Sequence, residues 1–262
     1  MKFELGQRCA ESGAGGLQSP IMQTILLASG NTKKLAELRA LVSDLPVRFL
    51  SPADLPLGLS DVEEDRPDFL GNAEKKALAA AADVAVQLGG GDGGGDGGDG
   101  GGGSGSECIG ESSDARGGGS GGGEIWVLAD DSGLCVDALD GAPGVRSARY
   151  SGTEGIGKDG ANNEKLLRAM EGVAEADRGA AFHCVIAVAR KGEILFTVEG
   201  SVRGRILHKA DGVDGFGYDP LFFHVPSNTS FARLGAAEKA AVSHRGMAVV
   251  ELRARLAELL GG

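Results

Sequence analysis

The chain has 262 residues, a net charge of −11 at pH 7 and 46 glycines. An acidic balance of this size argues against an extended nucleic-acid surface, which needs clustered Lys and Arg to neutralise phosphates. The four cysteines, at 9, 108, 135 and 184, form no C-x-x-C pair, so reduced thiols, no structural zinc and a cytoplasmic setting are expected. No apolar run approaches the length of a membrane span, so no membrane partner is expected.

Residues 1–21 are rich in Gly, Ser and Ala, with Glu4 and Glu11 among them, and read as a flexible N-terminal extension rather than a signal or transit peptide. Thr24–Ala28 is a short apolar run, expected as a buried strand. Ser29-Gly30-Asn31-Thr32-Lys33-Lys34 follows it, and Leu35, Leu38, Leu41 and Val42 then recur at helical spacing. A strand, a polar glycine turn and a helix start present free backbone N–H groups that suit a phosphate, with Lys34 as a mobile cation. The glycine spacing is not that of a Walker A loop, and a plain capped helix is the alternative.

Val47–Ser51 reads as a second strand, followed by an acidic loop, Ser60-Asp61-Val62-Glu63-Glu64-Asp65. A long helix is expected from about Asp68, its apolar face carried by Phe69, Ala73, Ala77, Ala81, Val84 and Leu88. From Gly89 to Gly123 more than half the residues are glycine, and six acidic residues stand against Arg116. Such a stretch cannot bury enough apolar surface to offset its ordering entropy and is expected as a disordered insertion. The remainder, 22–262 with that interruption, is expected as a single domain.

After the insertion, Ile125–Ala129 is expected as a buried strand ending at Asp130-Asp131-Ser132-Gly133, a carboxylate pair at a glycine turn. Two such anions side by side repel each other, and a hard divalent ion or a cationic partner would neutralise them. A solvated turn is the alternative, since Asp-Ser-Gly is ordinary turn chemistry. Further on, a helix is expected around Asn162–Met170, a hairpin from Ala181–Ala189 and Ile194–Glu199 through Lys191-Gly192, and a sheet extension at Val202–Leu207. Phe216-Gly217-Tyr218-Asp219-Pro220 precedes the apolar run Leu221–Val225, and a closing helix is expected from about Gly246. Strands alternating with helices, then a run of hairpin strands, predict an α/β fold with a mixed sheet covered by helices.

Four segments in order, Ser29-Gly30-Asn31-x-x-Lys34, Ala129-Asp130-Asp131-Ser132-Gly133-Leu134, Phe216-Gly217-Tyr218-Asp219-Pro220 and Ser243-His244-Arg245-Gly246, resemble the inosine triphosphate pyrophosphatase family. Asn72-Ala73-x-x-Lys76-Ala77, Gly141-Ala142-Pro143-Gly144 with Ser147-Ala148-Arg149-Tyr150-Ser151-Gly152, Phe182-His183-Cys184 and Glu238-Lys239 add to the likeness. The resemblance implies an elongated mixed sheet flanked by helices, two lobes with a central active-site cleft, and a homodimer. It also implies Mg²⁺-dependent hydrolysis of ITP, dITP or XTP to the monophosphate and pyrophosphate.

Carried onto this sequence, the likeness implies Asp131 as the catalytic carboxylate and metal ligand, joined at the metal by Glu63 or Glu64. Ser29, Gly30, Asn31, Thr32, Lys33 and Lys34 would cradle the triphosphate, with Lys76 as a second cation and Ser132 near the phosphates or sugar. Phe216, Gly217, Tyr218, Asp219, Lys239, His244 and Arg245 would surround the base. A Maf-like pyrophosphatase for modified pyrimidine nucleotides and a non-catalytic nucleotide-binding protein are the competing expectations.

Overall fold

The computed structural model describes residues 22–29, 31–43, 45, 47–88 and 124–261. The expected N-terminal extension, the expected insertion and Gly30 lie outside the described residues. One mixed sheet organises the rest, in the order β2-β1-β3-β4-β5-β6-β7. β1 (Gln23–Leu27) pairs in parallel with β2 (Val47–Leu50) and β3 (Ile125–Val136). β4 (Gly179–Arg190), β5 (Glu193–Ile206), β6 (Phe222–His224) and β7 (Thr229–Ser230) continue it antiparallel. The β4–β5 hairpin turns at Lys191 and Gly192, both at positive φ, as a two-residue turn between twisted strands requires.

Helices cover both faces of the parallel end. α1 (Thr32–Val42) and α5 (His244–Gly261) pack on one face, where Leu38, Val42, Val249 and Leu252 meet Ile25, Trp126 and Leu128. α2 (Phe69–Leu88) packs on the other, laying Ala73, Ala77, Ala80 and Ala81 against Leu26, Val127 and Ala129. A third cluster, under the antiparallel end, joins Leu166 and Met170 of α3 (Lys158–Ala169) and its C-terminus to Leu134, Phe182, Phe222 and Phe231. A short helix, α4 (Ala236–Val242), precedes α5.

Two expectations are corrected here. The strand predicted to stop at the aspartates runs on to Val136, and Asp130-Asp131-Ser132-Gly133 is extended chain paired with β4. The turn residues stay in the sheet because the β4 ladder holds them and because Gly133 lies flat beneath the 144–149 turn. A Cβ there would come within 2.5 Å of the Gly144 carbonyl and the Ser147 hydroxyl. Likewise Ile194–Glu199 and Val202–Leu207 are not separate pieces but one strand, β5, continuous to Ile206.

Candidate active site

The site begins where β1 stops. The β1–β3 register ends at Leu27 opposite Leu128, so β3 carries its aspartates past the last parallel neighbour. Because successive strand residues face opposite sides, the doublet does not hold two anions against each other. Asp130 follows Trp126 and Leu128 toward α1 and α5, where Lys34 Nζ lies 3.1 Å from its Oδ2. Asp131 follows Val127 and Ala129 toward α2, where Lys76 Nζ is 3.2 Å from Oδ1 and Asn72 Nδ2 donates to Oδ2 at 3.2 Å.

The electrostatics of the two carboxylates therefore diverge. Burial pushes Asp130 up, but Lys34, Arg245 and Lys76 outweigh it and hold the carboxyl well below its ordinary range. Burial also pushes Asp131 up, and there it prevails: the carboxyl sits above its ordinary range, with Lys76 opposing and Glu64 reinforcing the shift. Lys76 bridges Asp131 to Glu64, whose Oε1 is 3.0 Å from Nζ, and Arg149 holds the other oxygen of Glu64. Burial raises Glu64, yet the two cations bring its carboxyl below the usual value. Of the two acidic-loop candidates, only Glu64 is brought to Asp131; the Glu63 side chain is exposed, and its backbone carbonyl accepts from Lys75.

At the start of α1, Asn31 is the N-cap, and its Oδ1 accepts from the amides of Lys33 and Lys34 at 3.1 and 3.2 Å. Two of the donors expected to be free for phosphate are thus already capped. The Ser29 hydroxyl accepts from the Asn31 amide, and Thr32 and Lys33 are exposed at the mouth of the cleft.

Farther in, Ser132 joins the two halves. Its hydroxyl donates to Asp130 Oδ2 at 3.3 Å and accepts from Arg245 Nη2 at 3.2 Å. Arg245 also donates to Glu37 of α1, and Lys239 donates to Asp219 Oδ2 at 2.7 Å and to Glu37 at 3.3 Å. Arg245 is 2% exposed and His244 5%, yet Arg245 Nε and His244 Nδ1 have no partner among the described residues. Buried donors and acceptors left open in this way point to a polar ligand. Burial, with Arg245, Lys239 and Lys34 nearby, holds His244 well below its ordinary pKa, so the ring is neutral at pH 7. It stacks on Phe182 at 4.8 Å. The Phe216 ring lies under three cations, Lys239 at 4.8 Å, Arg245 at 5.7 Å and Lys33 at 5.8 Å. Tyr218 is buried, with its hydroxyl committed to the Ser147 carbonyl at 2.9 Å, so it shapes this chamber rather than offering it a free group.

Two adjoining cavities result. An outer one of about 1130 Å³ is lined by Lys33, Lys34, Lys76, Asp130 and Glu64. An inner one of about 590 Å³ is lined by Ser132, Phe216, Asp219, Lys239, His244 and Arg245. They share Asn31, Lys34, Ala148, Lys158, Asp159 and Phe216. The arrangement suits a ligand with a polyanionic end and a flat, polar heterocyclic end. Four participants were not singled out in the sequence: Glu37, Asn72, Arg149 and Asp159. Asn72 and Arg149 stand inside matched motifs, whereas Glu37 looks like one more charge on the polar side of α1.

Fold and site together define an α/β protein built around a nucleotide-sized cleft. The chain belongs to the Ham1 family, whose profile matches residues 25–89 and 115–255. Among curated relatives, the dITP/XTP pyrophosphatase of Anaeromyxobacter sp. (strain Fw109-5) is 40% identical, over 90% of this chain and 97% of that protein. The dITP/XTP pyrophosphatase of Geobacter sulfurreducens is 39% identical, with the same coverage. Among solved structures, a HAM1 protein from Coxiella burnetii shares 33% identity and a TM-score of 0.69, covering 90% of this chain and all of that one. The Ham1 protein of Staphylococcus aureus shares 31% identity and a TM-score of 0.65, over 89% and 98%.

Proposed function

We propose that this protein hydrolyses non-standard purine nucleoside triphosphates (dITP, ITP and XTP) to the monophosphate and pyrophosphate, clearing them from the nucleotide pool. The observation that carries this is the joined cleft, in which a cation-lined outer cavity leads to an inner chamber where buried Arg245 and His244 hold open hydrogen-bonding atoms beside the Phe216 ring. The names of the relatives agree with it.

Mg²⁺ is the proposed metal, and the residues present fit it. Glu64 and Asp131 are hard oxygen donors that converge on one ammonium, and Asp130 Oδ1 is a buried carboxylate oxygen with no partner among the described residues. Among those residues no cluster of three or more His, Cys, Asp or Glu forms a cage of its own. Two carboxylates completed by phosphate oxygens and water are what Mg²⁺ commonly accepts. When bound, the ion would neutralise phosphate charge and acidify a water.

The chain's own groups then divide the work. Lys33 and Lys34 meet the outer phosphates, and Lys76 is exchanged from Glu64 and Asp131 to phosphate oxygen as the anion enters. Asp131, made more basic by burial, orients the attacking water and accepts its proton. In the inner chamber Phe216 stacks on the base and Arg245 donates to the 6-oxo group. Adenine would set an NH₂ against that donor and leave buried groups unpaired, a mismatch that discriminates strongly.

Assembly as a homodimer and a cytoplasmic setting belong to the same proposal; free Cys135 and Cys184 agree with the latter. Among the described residues no helix is long and apolar enough to cross a membrane. Pyrophosphate release with Mg²⁺ across dITP, XTP, GTP, ATP and modified pyrimidine triphosphates tests the activity, and sedimentation velocity tests the dimer. Turnover of dITP and XTP well above the rest is expected; preference for a pyrimidine triphosphate, or binding without release, would overturn the proposal.

A further inference from the structure

Phe216 can stack on a base only if the peptide that carries it is held still; backbone hydrogen bonds with Ala232 pin the loop at Asp214 and Asp219, and side chains hold the stretch between them. Within the loop, Asp219 Oδ2 accepts from the Phe216 amide at 2.8 Å. The next peptide is held from outside by α3. Asp159 Oδ2 accepts from the Gly217 amide at 2.9 Å, and Asn163 Nδ2 donates to the Gly217 carbonyl at 3.0 Å. Asp159 and Asn163 are four residues apart and so share one face of α3. Gly217 has φ +60, in the left-handed region that glycine enters without strain but in which it is not confined, so the contacts from α3 select this turn among those open to it. Asp159 reaches a second element too: its Oδ2 lies 3.8 Å from Lys33 Nζ on α1, across the cleft.

We propose that Asp159 is a positioning residue for purine recognition: with Asn163 it clamps the Gly217 peptide and thereby sets the Phe216 ring against the base. This rests on the assignment of the inner chamber to the base and the outer one to the phosphates. Asp159 does not act on the reacting atoms. Its contribution is to base binding, so it shows in KM and not in kcat. The bond to Gly217 needs only an oxygen acceptor, whereas the approach to Lys33 needs charge. Asp159→Asn therefore separates the two contacts.

The experiment uses the full chain. Kd is measured by calorimetry for inosine monophosphate, which carries the base, and for pyrophosphate, which does not, alongside steady-state dITP hydrolysis. Asp159→Ala should weaken inosine monophosphate and raise KM for dITP about tenfold, the scale of a misplaced stacking contact, with kcat within about twofold of wild type and pyrophosphate bound no more weakly, since Lys33 is released from its partner. Asp159→Asn should restore most of the loss. Asn163→Ala, which removes only the carbonyl contact, should show the same split more weakly, and it carries the test if Asp159→Ala does not fold. Equal weakening of pyrophosphate would overturn the proposal. So would a fall in kcat at constant KM, or an Asp159→Asn variant as poor as Asp159→Ala. If wild type bound inosine monophosphate yet failed to hydrolyse dITP, the catalytic assignment would fall while the binding arm still decided the role of Asp159.

Discussion

Lys76→Met offers a demanding test of the electrostatics. Lys76 is the ammonium shared by Asp131 and Glu64, and its side chain is 17% exposed. Met keeps the stem and removes the charge. Breaking a buried ion pair by deleting one partner costs about 3–5 kcal/mol. The low end applies here, because Arg149 still holds Glu64 and Asn72 still donates to Asp131. About 3 kcal/mol corresponds to a Tm loss of roughly 6–12 °C for a domain of this size. Lys76 lowers both carboxyls, so without it the folded pKa of each rises, that of Asp131 further above its unfolded value. The destabilisation is then complete above the raised values and fades as pH falls toward about 4, where both carboxyls protonate in either state. Scanning calorimetry of metal-free protein at pH 7.5 and pH 4.5 measures both quantities. A Tm within about 2 °C of wild type at pH 7.5, or a deficit that grows on acidification, would show that Lys76 does not neutralise this carboxylate pair.

Arg245→Ala should lower kcat/KM for dITP by about 10- to 100-fold, the cost of a charged hydrogen bond, while moving the weak ATP activity little; equal losses would make Arg245 a structural partner of Glu37 instead. Gly133→Ala drives a Cβ to 2.5 Å from the Gly144 carbonyl. Overpacking of that kind costs about 1–3 kcal/mol, and a variant as stable as wild type in urea would mean that the 144–149 turn yields freely. Replacing residues 89–123 by a four-residue turn should preserve dITP hydrolysis and add roughly 2 kcal/mol through shorter loop closure, read as a higher urea midpoint. The family profile is interrupted at 90–114, in keeping with a dispensable segment, and a large activity loss in the folded variant would show that the segment serves the site.

Local sequence showed the strand-to-helix turn before Lys34, because apolar runs and helical spacing are written in adjacent residues. It misplaced the end of β3, because Asp-Ser-Gly is turn chemistry unless something distant overrides it. The override comes from Lys34, Lys76 and Arg245, carried on three different helices, and from the β4 ladder. Glu37 was illegible for a related reason. Between Leu35 and Leu38 it reads as a solvated charge, and only the fold brings Lys239 and Arg245 to it. α4 and β7 are too short for any period to show. The strand-period alternation that puts Asp130 and Asp131 on opposite faces was available in principle, but it applies only once the strand is known to continue.

Asp131 is proposed to carry the chemistry of triphosphate hydrolysis, and kcat of Asp131→Asn for dITP at saturating Mg²⁺ reads that role. An amide can still accept the Lys76 hydrogen bond but can neither take a proton nor bind metal as a carboxylate does. A folded protein with kcat lowered by about 10²–10⁴-fold is expected. Turnover near the wild-type value, with deoxyinosine monophosphate and pyrophosphate still the products, would contradict that role.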